Sequence, residues 1–249
     1  MNSEEVEAGS EVPKKKSLRK IWVILVLLVL GVGAYATTKS SFFSVKDVEV
    51  IGTGFRVSET EVLEAAGINA DSSMVGLNVK EIDERVTAIP WVAQVDIERS
   101  WPDSVRIILE ERIASLIAVI PSGQKFLLDR SGVVLEETRM GNLELPIIRV
   151  DSAGVLGEQI NGITPLLRAA EEVTPDLQAW ILALAPTGGG VRAELVGGVV
   201  AELGIGGTDF RDEMRSLATV LTRVQLSCIE LIDVSIPQNP VVTRTRGRC

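Results

Sequence analysis

The sequence has 249 residues, of which 46% are hydrophobic, and its 34 acidic and 25 basic side chains leave a formal net charge of −9. Residues 1–20 hold four acidic and five basic side chains, a net +1, so the rest of the chain carries −10. Such a charge repels phosphate and argues against a nucleic-acid partner. Histidine is absent, which excludes Ser-His-Asp and Cys-His catalysis and any histidine metal site.

A run without any charged side chain, residues 21–38, follows a basic segment near the N-terminus. A helix of that length reaches roughly 27 Å, close to the hydrocarbon thickness of a bilayer. The sequence therefore predicts a transmembrane helix over 21–38. A cleaved secretory signal ending near Ala34-Tyr35-Ala36 is the alternative, but the apolar run is longer than such signals usually have.

Basic side chains are concentrated before the apolar run, which predicts a cytoplasmic N-terminus by the positive-inside rule. These topology residues are Lys14, Lys15, Lys16, Arg19 and Lys20. Residues 1–20 lack apolar periodicity and are predicted to form a disordered cytoplasmic tail. Everything from Lys39 onward is then predicted to lie outside the cytoplasm, in a single-pass type II arrangement.

The segment 43–112 shows the periodicities of a small α+β unit. Alternating apolar residues predict a strand that stops at Gly52, and a capping box opening at Ser58 predicts a helix that ends at Gly67. A second helix is predicted by the apolar stripe Val79, Ile82, Val86 and Ile89. Strands over 92–99 and 104–110, joined by a turn at Trp101-Pro102-Asp103, complete the order strand, helix, helix, strand, strand.

Short motifs in this segment carry a family resemblance. They are Phe43-Ser44-Val45 with Val48-Glu49-Val50, the turn Ile89-Pro90-Trp91-Val92, the run Arg99-Ser100-Trp101-Pro102-Asp103, and Glu110-Glu111-Arg112. Together they resemble the POTRA domain of the bacterial cell-division family FtsQ, called DivIB in some lineages.

The region 113–243 is dominated by short apolar segments separated by glycine-rich turns. Predicted strands lie at 113–120, 125–129, 133–136, 146–150, 191–195, 199–203 and 229–236, a short edge strand at 241–243, and helices at 163–173 and 208–225. This region is similar to the β domain of the same family. The predicted fold class is thus α+β: a transmembrane helix, a POTRA domain (43–112), a mixed β domain (113–243) with helices packed on one face, and a basic tail (244–249).

Two further features bear on chemistry. Cys228 and Cys249 are too few for a disulfide framework, and the apolar neighbours of Cys228 predict a buried structural thiol. A set of acidic residues in one region could in principle cleave a glycosidic bond, and its members are Asp129, Glu136, Glu137, Glu144 and Asp151. Solvated acids on turns and strand edges are the more common explanation, so we predict no enzyme, no cofactor, no metal site and no small-molecule substrate.

The resemblance implies a scaffold of the division machinery, enriched at the septum, that recruits and holds the bitopic partners FtsB and FtsL by β-strand addition to its C-terminal edge. The matching partner-binding residues are Asp233, Val234, Ser235, Ile236, Val241, Val242 and Thr243. Here the family's aromatic anchors are missing, since position 236 is not tyrosine and no tryptophan lies near Thr243. The alternative function is an anchored envelope sensor that binds a cell-wall ligand.

Overall fold

The structure, a computed structural model, describes residues 16–38, 43–69, 72–139, 144–205 and 209–245. Most of the predicted cytoplasmic tail, including Lys14 and Lys15, and the end of the predicted basic tail lie outside these ranges. The first helix, α1, runs over Lys16–Thr38, and its side chains are described from Lys20 to Val32. In the part of the chain that is described, no helix reaches the length and apolarity needed to cross a bilayer.

The next five elements form a three-stranded sheet covered by two helices. They are β1 (Asp47–Ile51), α2 (Glu59–Ala66), α3 (Val79–Thr87), β2 (Val92–Ser100) and β3 (Ser104–Glu111). The strand order is β1-β3-β2, with β1 parallel and β2 antiparallel to β3. This arrangement confirms the predicted order of strand, helix, helix, strand, strand.

Local sequence signals explain where the two helices begin and end. The Ser58 hydroxyl accepts a hydrogen bond from the Glu61 N–H at 3.2 Å, which caps the N-terminus of α2. Gly67 ends α2 in the left-handed conformation, with φ of 61°. The apolar stripe of α3 packs inward as predicted, with Ile82 and Val86 buried.

The remaining elements form one mixed sheet of nine strands with three helices. They are β4 (Ala114–Val119), β5 (Lys125–Asp129), β6 (Val134–Thr138), β7 (Ile147–Arg149), α4 (Thr164–Glu171), α5 (Pro175–Gln178), β8 (Ile181–Thr187), β9 (Gly190–Leu195), β10 (Val200–Gly204), α6 (Arg211–Leu221), β11 (Ile229–Asp233) and β12 (Val241–Arg244). The order is β12-β11-β10-β9-β8-β7-β4-β5-β6. Three pairs are parallel, β4 with β7, β7 with β8 and β10 with β11.

One face of the nine-stranded sheet is covered by α4, α5 and α6, whose apolar residues share a single core with the strands. The opposite face is covered at β4, β5 and β6 by the smaller sheet and its helices. Ile117, Leu127 and Leu135 point into that second core, together with Ile82 and Val86 of α3. The predicted α+β class and the mixed sheet are confirmed, and the two cores share the strands β4 to β6.

Three predictions need correction. Strand β8 was missed, and the predicted strand 229–236 ends at Asp233. It ends there because the Asp233 carboxylate accepts hydrogen bonds from both the N–H (2.9 Å) and the hydroxyl (2.6 Å) of Ser235, which turns the backbone out of the ladder. Cys228 is half-buried and held in a disulfide, so it is not a buried thiol.

Candidate partner-binding edge

The C-terminal strand β12 lies at one end of the nine-stranded sheet. It pairs antiparallel with β11, and the register aligns Val241 with Asp233, Val242 with Ile232 and Thr243 with Leu231. No other strand among the described residues pairs with the outer side of β12. The predicted edge 241–243 is therefore part of an edge strand in this fold.

The hydrogen-bond pattern shows which backbone groups face outward. The Thr245 N–H donates to the Cys228 carbonyl at 3.1 Å, so Thr245 faces β11. Successive residues of an antiparallel strand alternate between facing the partner strand and facing away from it. The irregularity in this pairing falls on β11, between Ile229 and Leu231, and leaves the alternation of β12 intact. Val242 and Arg244 therefore direct their N–H and C=O groups away from β11, to the outer edge.

The side chains of the predicted site differ strongly in exposure. Val241 is 54% exposed and Ile236 is 61% exposed, whereas Val234 is fully buried in the core. The Val234 N–H is also used, since it donates to the Glu202 carbonyl at 3.0 Å. The structure thus brings Ile236 and Val241 to the surface near the edge and places Val234 underneath it.

A groove lies next to this edge and was not predicted from the sequence. It has a volume of about 430 Å³ and lies between α6 and the turn that leads into β12. Arg215 and Thr219 line it from α6, Arg223 lines it from just beyond the end of that helix, and Pro237 and Pro240 line it from the turn. In the sequence these helical residues only mark the polar face of an amphipathic helix, which gives no signal for a groove.

Three of the five acidic residues that suggested glycosidase chemistry take structural roles, and Glu144 and Asp151 are exposed. Asp129 accepts a hydrogen bond from the Arg112 guanidinium at 2.6 Å, and Glu136 pairs with Arg56 at 3.1 Å. Glu137 accepts a hydrogen bond from the Gln124 side chain at 3.3 Å. The described residues also contain no group of three or more acidic or cysteine side chains arranged to hold a metal ion.

Asp129 is nevertheless electrostatically unusual. Burial raises the pKa of this carboxyl, but hydrogen bonds from Ser131, from the Val133 N–H and from Arg112 outweigh that effect and hold the pKa below its ordinary value. Asp129 is therefore held in its ionised form, and its carboxylate is used in the contact with Arg112 between the two sheets. It is not a proton donor poised for catalysis.

The fold of residues 43–112 is that of a POTRA domain. The chain therefore falls in the class of proteins that contain such a domain. This segment matches the family model described as the POTRA domain of FtsQ type, over residues 43–112. The predicted resemblance to the FtsQ/DivIB family is confirmed by this match and by the relatives below.

Similarity to known proteins extends beyond the POTRA segment. The cell division protein FtsQ of Mycolicibacterium smegmatis is 29% identical over 232 residues, which cover 89% of this chain and 64% of that protein. FtsQ of Streptomyces bingchenggensis is 29% identical over 167 residues, or 66% of this chain and 62% of that protein. FtsQ of Geotalea daltonii is 24% identical over 249 residues, covering 92% and 88%.

This chain therefore spans a little under two thirds of the length of the Mycolicibacterium and Streptomyces relatives. Its relatives bear the name of one cell division protein, and its POTRA domain is of the FtsQ type.

Proposed function

We propose that this protein is a non-enzymatic, membrane-anchored scaffold of bacterial cell division that holds bitopic partners of the FtsB and FtsL type at the septum. Residues 21–38 would anchor it with the N-terminus in the cytoplasm, and residues 43–112 and 113–243 would act as its extracytoplasmic POTRA and β domains. The relatives named FtsQ support the division role. The apolar run and the basic residues before it support the anchor.

The disulfide at Cys228 supports the proposed compartment. Disulfides persist in oxidising environments and are rare in the cytosol. Cys228 lies directly before β11, so a disulfide there agrees with a β domain outside the cytoplasm.

The outer edge of β12 is the observation that carries the proposed mechanism. An edge strand with outward N–H and C=O groups can accept an additional strand from another chain, with backbone hydrogen bonds supplying affinity. Val242 and Arg244 offer those groups here. The exposed side chains of Ile236 and Val241 would contact alternate residues of the added strand, and the groove beside α6 leaves room for the segment that continues from it.

Replacing Val242 by proline tests this mechanism. Proline removes one outward N–H donor while the inward bonds to β11 remain, so binding of an FtsB-type partner should weaken about tenfold or more, the effect of about 1.4 kcal/mol. Val242→Thr is the matched control, because it keeps both the branched side-chain shape and the donor. Partner capture from detergent-solubilised membranes, together with thermal unfolding of each variant, gives the readout.

Equal capture of the partner by Val242→Pro and Val242→Thr, with both variants folded, would exclude this edge as the binding site. Loss of septal localisation when β12 is deleted would agree with a scaffold. A chain that localises evenly around the membrane and captures no division protein would count against the proposed function itself.

A further inference from the structure

An apolar surface lies on the POTRA domain around Phe43, which follows the end of α1 by five positions in the sequence. We call it the tip surface, and it consists of Phe43, Val75 and Trp101. Trp101 is 55% exposed and Val75 is 46% exposed. The rings of Phe43 and Trp101 meet edge to face with centroids 6.0 Å apart, and the Met74 N–H donates to the Phe43 carbonyl at 2.8 Å. Phe43 and Trp101 are therefore in contact, and Val75, the residue after Met74, lies close to Phe43 along the chain that pairs with it.

The loops that carry the tip surface are held in place by hydrogen bonds. The Arg99 guanidinium donates to the carbonyls of Met74 and Leu77, on either side of Val75. The Lys46 ammonium pairs with Asp103 at 2.8 Å, next to Trp101. Met74 itself is fully buried in the POTRA core. The two exposed apolar side chains are thus presented on a fixed scaffold.

Chain length limits how far the tip surface can be from α1. The helix ends at Thr38, and Phe43 follows five positions later. Five residues span at most about 18 Å even when fully extended. If α1 crosses a bilayer, Phe43 and its neighbour Trp101 must then lie near the outer surface of that bilayer.

We propose that the tip surface contacts the headgroup region of the bilayer in which α1 is anchored, with Trp101 as its interfacial anchor. This inference rests on the membrane anchoring in the proposed function. Tryptophan is enriched at this level of membranes because its ring is apolar and its N–H is polar. The Lys46 ammonium, whose side chain is 58% exposed, lies at the same end of the domain and can also face lipid phosphate.

A bilayer contact at the tip would orient the POTRA domain. Strand β1 starts four residues after Phe43 and runs from Asp47 to Ile51, a rise of about 13 Å. Phe55 follows the far end of β1 and is completely exposed. An exposed apolar side chain is therefore present at each end of the strand, and only the one beside Phe43 is expected to contact lipid.

The experiment uses the full chain reconstituted into phosphatidylcholine and phosphatidylglycerol vesicles. Single cysteines are introduced as Val75→Cys at the tip, Phe55→Cys at the far end and Leu27→Cys within α1. Each is labelled with the fluorophore NBD, with the Cys228 disulfide left intact so that only the introduced thiol reacts. Quenching by lipids that carry a nitroxide near the headgroup or deep in the acyl chain then reports the depth of each label.

We expect the label at position 75 to be quenched by the shallow nitroxide, the label at position 55 to be unaffected, and the label at position 27 to be quenched by the deep one. Adding Trp101→Ser should reduce the quenching at position 75 without changing that at position 27. Deep quenching at 27 with none at 75 would overturn the tip contact and leave the anchor standing.

The remaining outcomes are also decisive. Absence of quenching at position 27 would overturn the anchor and, with it, the tip contact. Equal quenching at positions 55 and 75 would show that the domain lies flat on the lipid, which contradicts an oriented tip.

Discussion

The Asp129 carboxylate accepts four hydrogen bonds, and the one from Arg112 joins the two sheets. Its Oδ1 accepts from the N–H and hydroxyl of Ser131 and from the Val133 N–H, and its Oδ2 accepts from Arg112. Arg112 also donates to the Val92 carbonyl at 3.0 Å, so it links the end of β5 to the start of β2. Both side chains are largely buried, 19% exposed for Arg112 and 11% for Asp129. The pair is therefore costly to break.

The lowered pKa of Asp129 predicts the direction of its pH dependence. The folded state binds the proton less readily than the unfolded state, whose ordinary pKa is about 3.9. The stabilisation is therefore complete above about pH 3.9 and is lost as the pH falls through the lower folded-state pKa. At pH 7, Asp129→Asn should lower the free energy of unfolding by about 2 to 4 kcal/mol, because Arg112 is left with a buried unpaired charge.

Urea denaturation of wild type and Asp129→Asn at pH 7, 5 and 3 measures this difference, which should shrink at the lowest pH. Asp151→Asn is the control, since Asp151 is exposed and forms no ion pair among the described residues. A constant difference between Asp129→Asn and wild type across all three pH values would contradict the assignment.

Asp233 offers a second test at the level of a single residue. The resemblance placed it among the partner-binding residues, whereas in the fold its Oδ1 atom accepts two hydrogen bonds from Ser235 and shapes the turn before β12. We predict that Asp233→Ala weakens partner capture and lowers stability by about 1 kcal/mol. Asp233→Asn keeps the Oδ1 acceptor and should retain both.

Comparing Asp233→Ala with Asp233→Asn shows whether Asp233 shapes the turn or contacts the partner directly through its charge. Two measurements are needed. Partner affinity is measured by titrating the partner over the immobilised protein, and the order of the turn is measured by amide hydrogen exchange of residues 235–240. Equal loss of affinity in Asp233→Asn and Asp233→Ala, with exchange unchanged, would show that the carboxylate charge itself contacts the partner.

Among the helices and strands, the hydrophobic periodicity of the sequence correctly predicted α3, β2 and β3. The stripe of α3 and the alternation in β2 and β3 each bury one face, so the sequence carries their structure directly. Strand β8 was missed because its buried residues are the consecutive Ala183, Leu184 and Ala185, and Pro186 lies near its end. A proline and a run without alternation are both weak signals for a strand.

The candidate site was only partly predictable for a related reason. The sequence predicts the edge position of β12, because a short strand near the C-terminus follows a turn flanked by Pro237 and Pro240. The burial of Val234 and the groove beside α6 depend on how distant segments pack, which alternation along one strand does not encode.

The hairpin between β8 and β9 gives a test at this scale. Gly190 has a φ of 137°, and a Cβ atom added there would lie 1.8 Å from the Gly204 carbonyl oxygen in β10. We predict that Gly190→Ala lowers the free energy of unfolding by more than about 2 kcal/mol, because β9 and β10 must separate to admit the methyl group.

Gly189→Ala is the matched control, since nothing lies within 4 Å of a Cβ atom at that position. It should change stability by about 0.5 kcal/mol or less. Chemical denaturation of both variants measures the contrast. Similar stabilities would show that the β9 and β10 backbones are not in close contact at Gly190.

In the whole molecule, the two hydrophobic cores share strands β4, β5 and β6 of the nine-stranded sheet. Arg56 stacks on the Trp91 ring at 4.6 Å and pairs with Glu136 on β6, which adds a polar clamp beside the apolar contact. Consecutive apolar residues in β4 and β5 agree with burial on both faces of these strands, but the sequence does not reveal what covers the second face. The structure shows that the POTRA helices and strands do so.

Adjacent leucines in β5 allow the two faces to be separated. Leu127 is buried against the POTRA core and Leu128 against α4 to α6, and both are at most 2% exposed. We predict that Leu127→Ala and Leu128→Ala each cost about 2 to 5 kcal/mol, because each leaves a cavity. Hydrogen exchange should differ: Leu127→Ala should raise exchange in α2, α3 and β2, whereas Leu128→Ala should raise it mainly in α4 and α6.

Because the two cores share β4 to β6, we expect residues 43–112 and 113–243 to move as one mechanical unit. If the proposed partner strand on β12 and the proposed anchor before β1 are both present, such a unit would hold the partner at a fixed distance from the bilayer. Increased exchange limited to β4, β5 and β6 in Leu127→Ala, with the POTRA helices unchanged, would show instead that the two domains are stabilised separately and can move relative to each other.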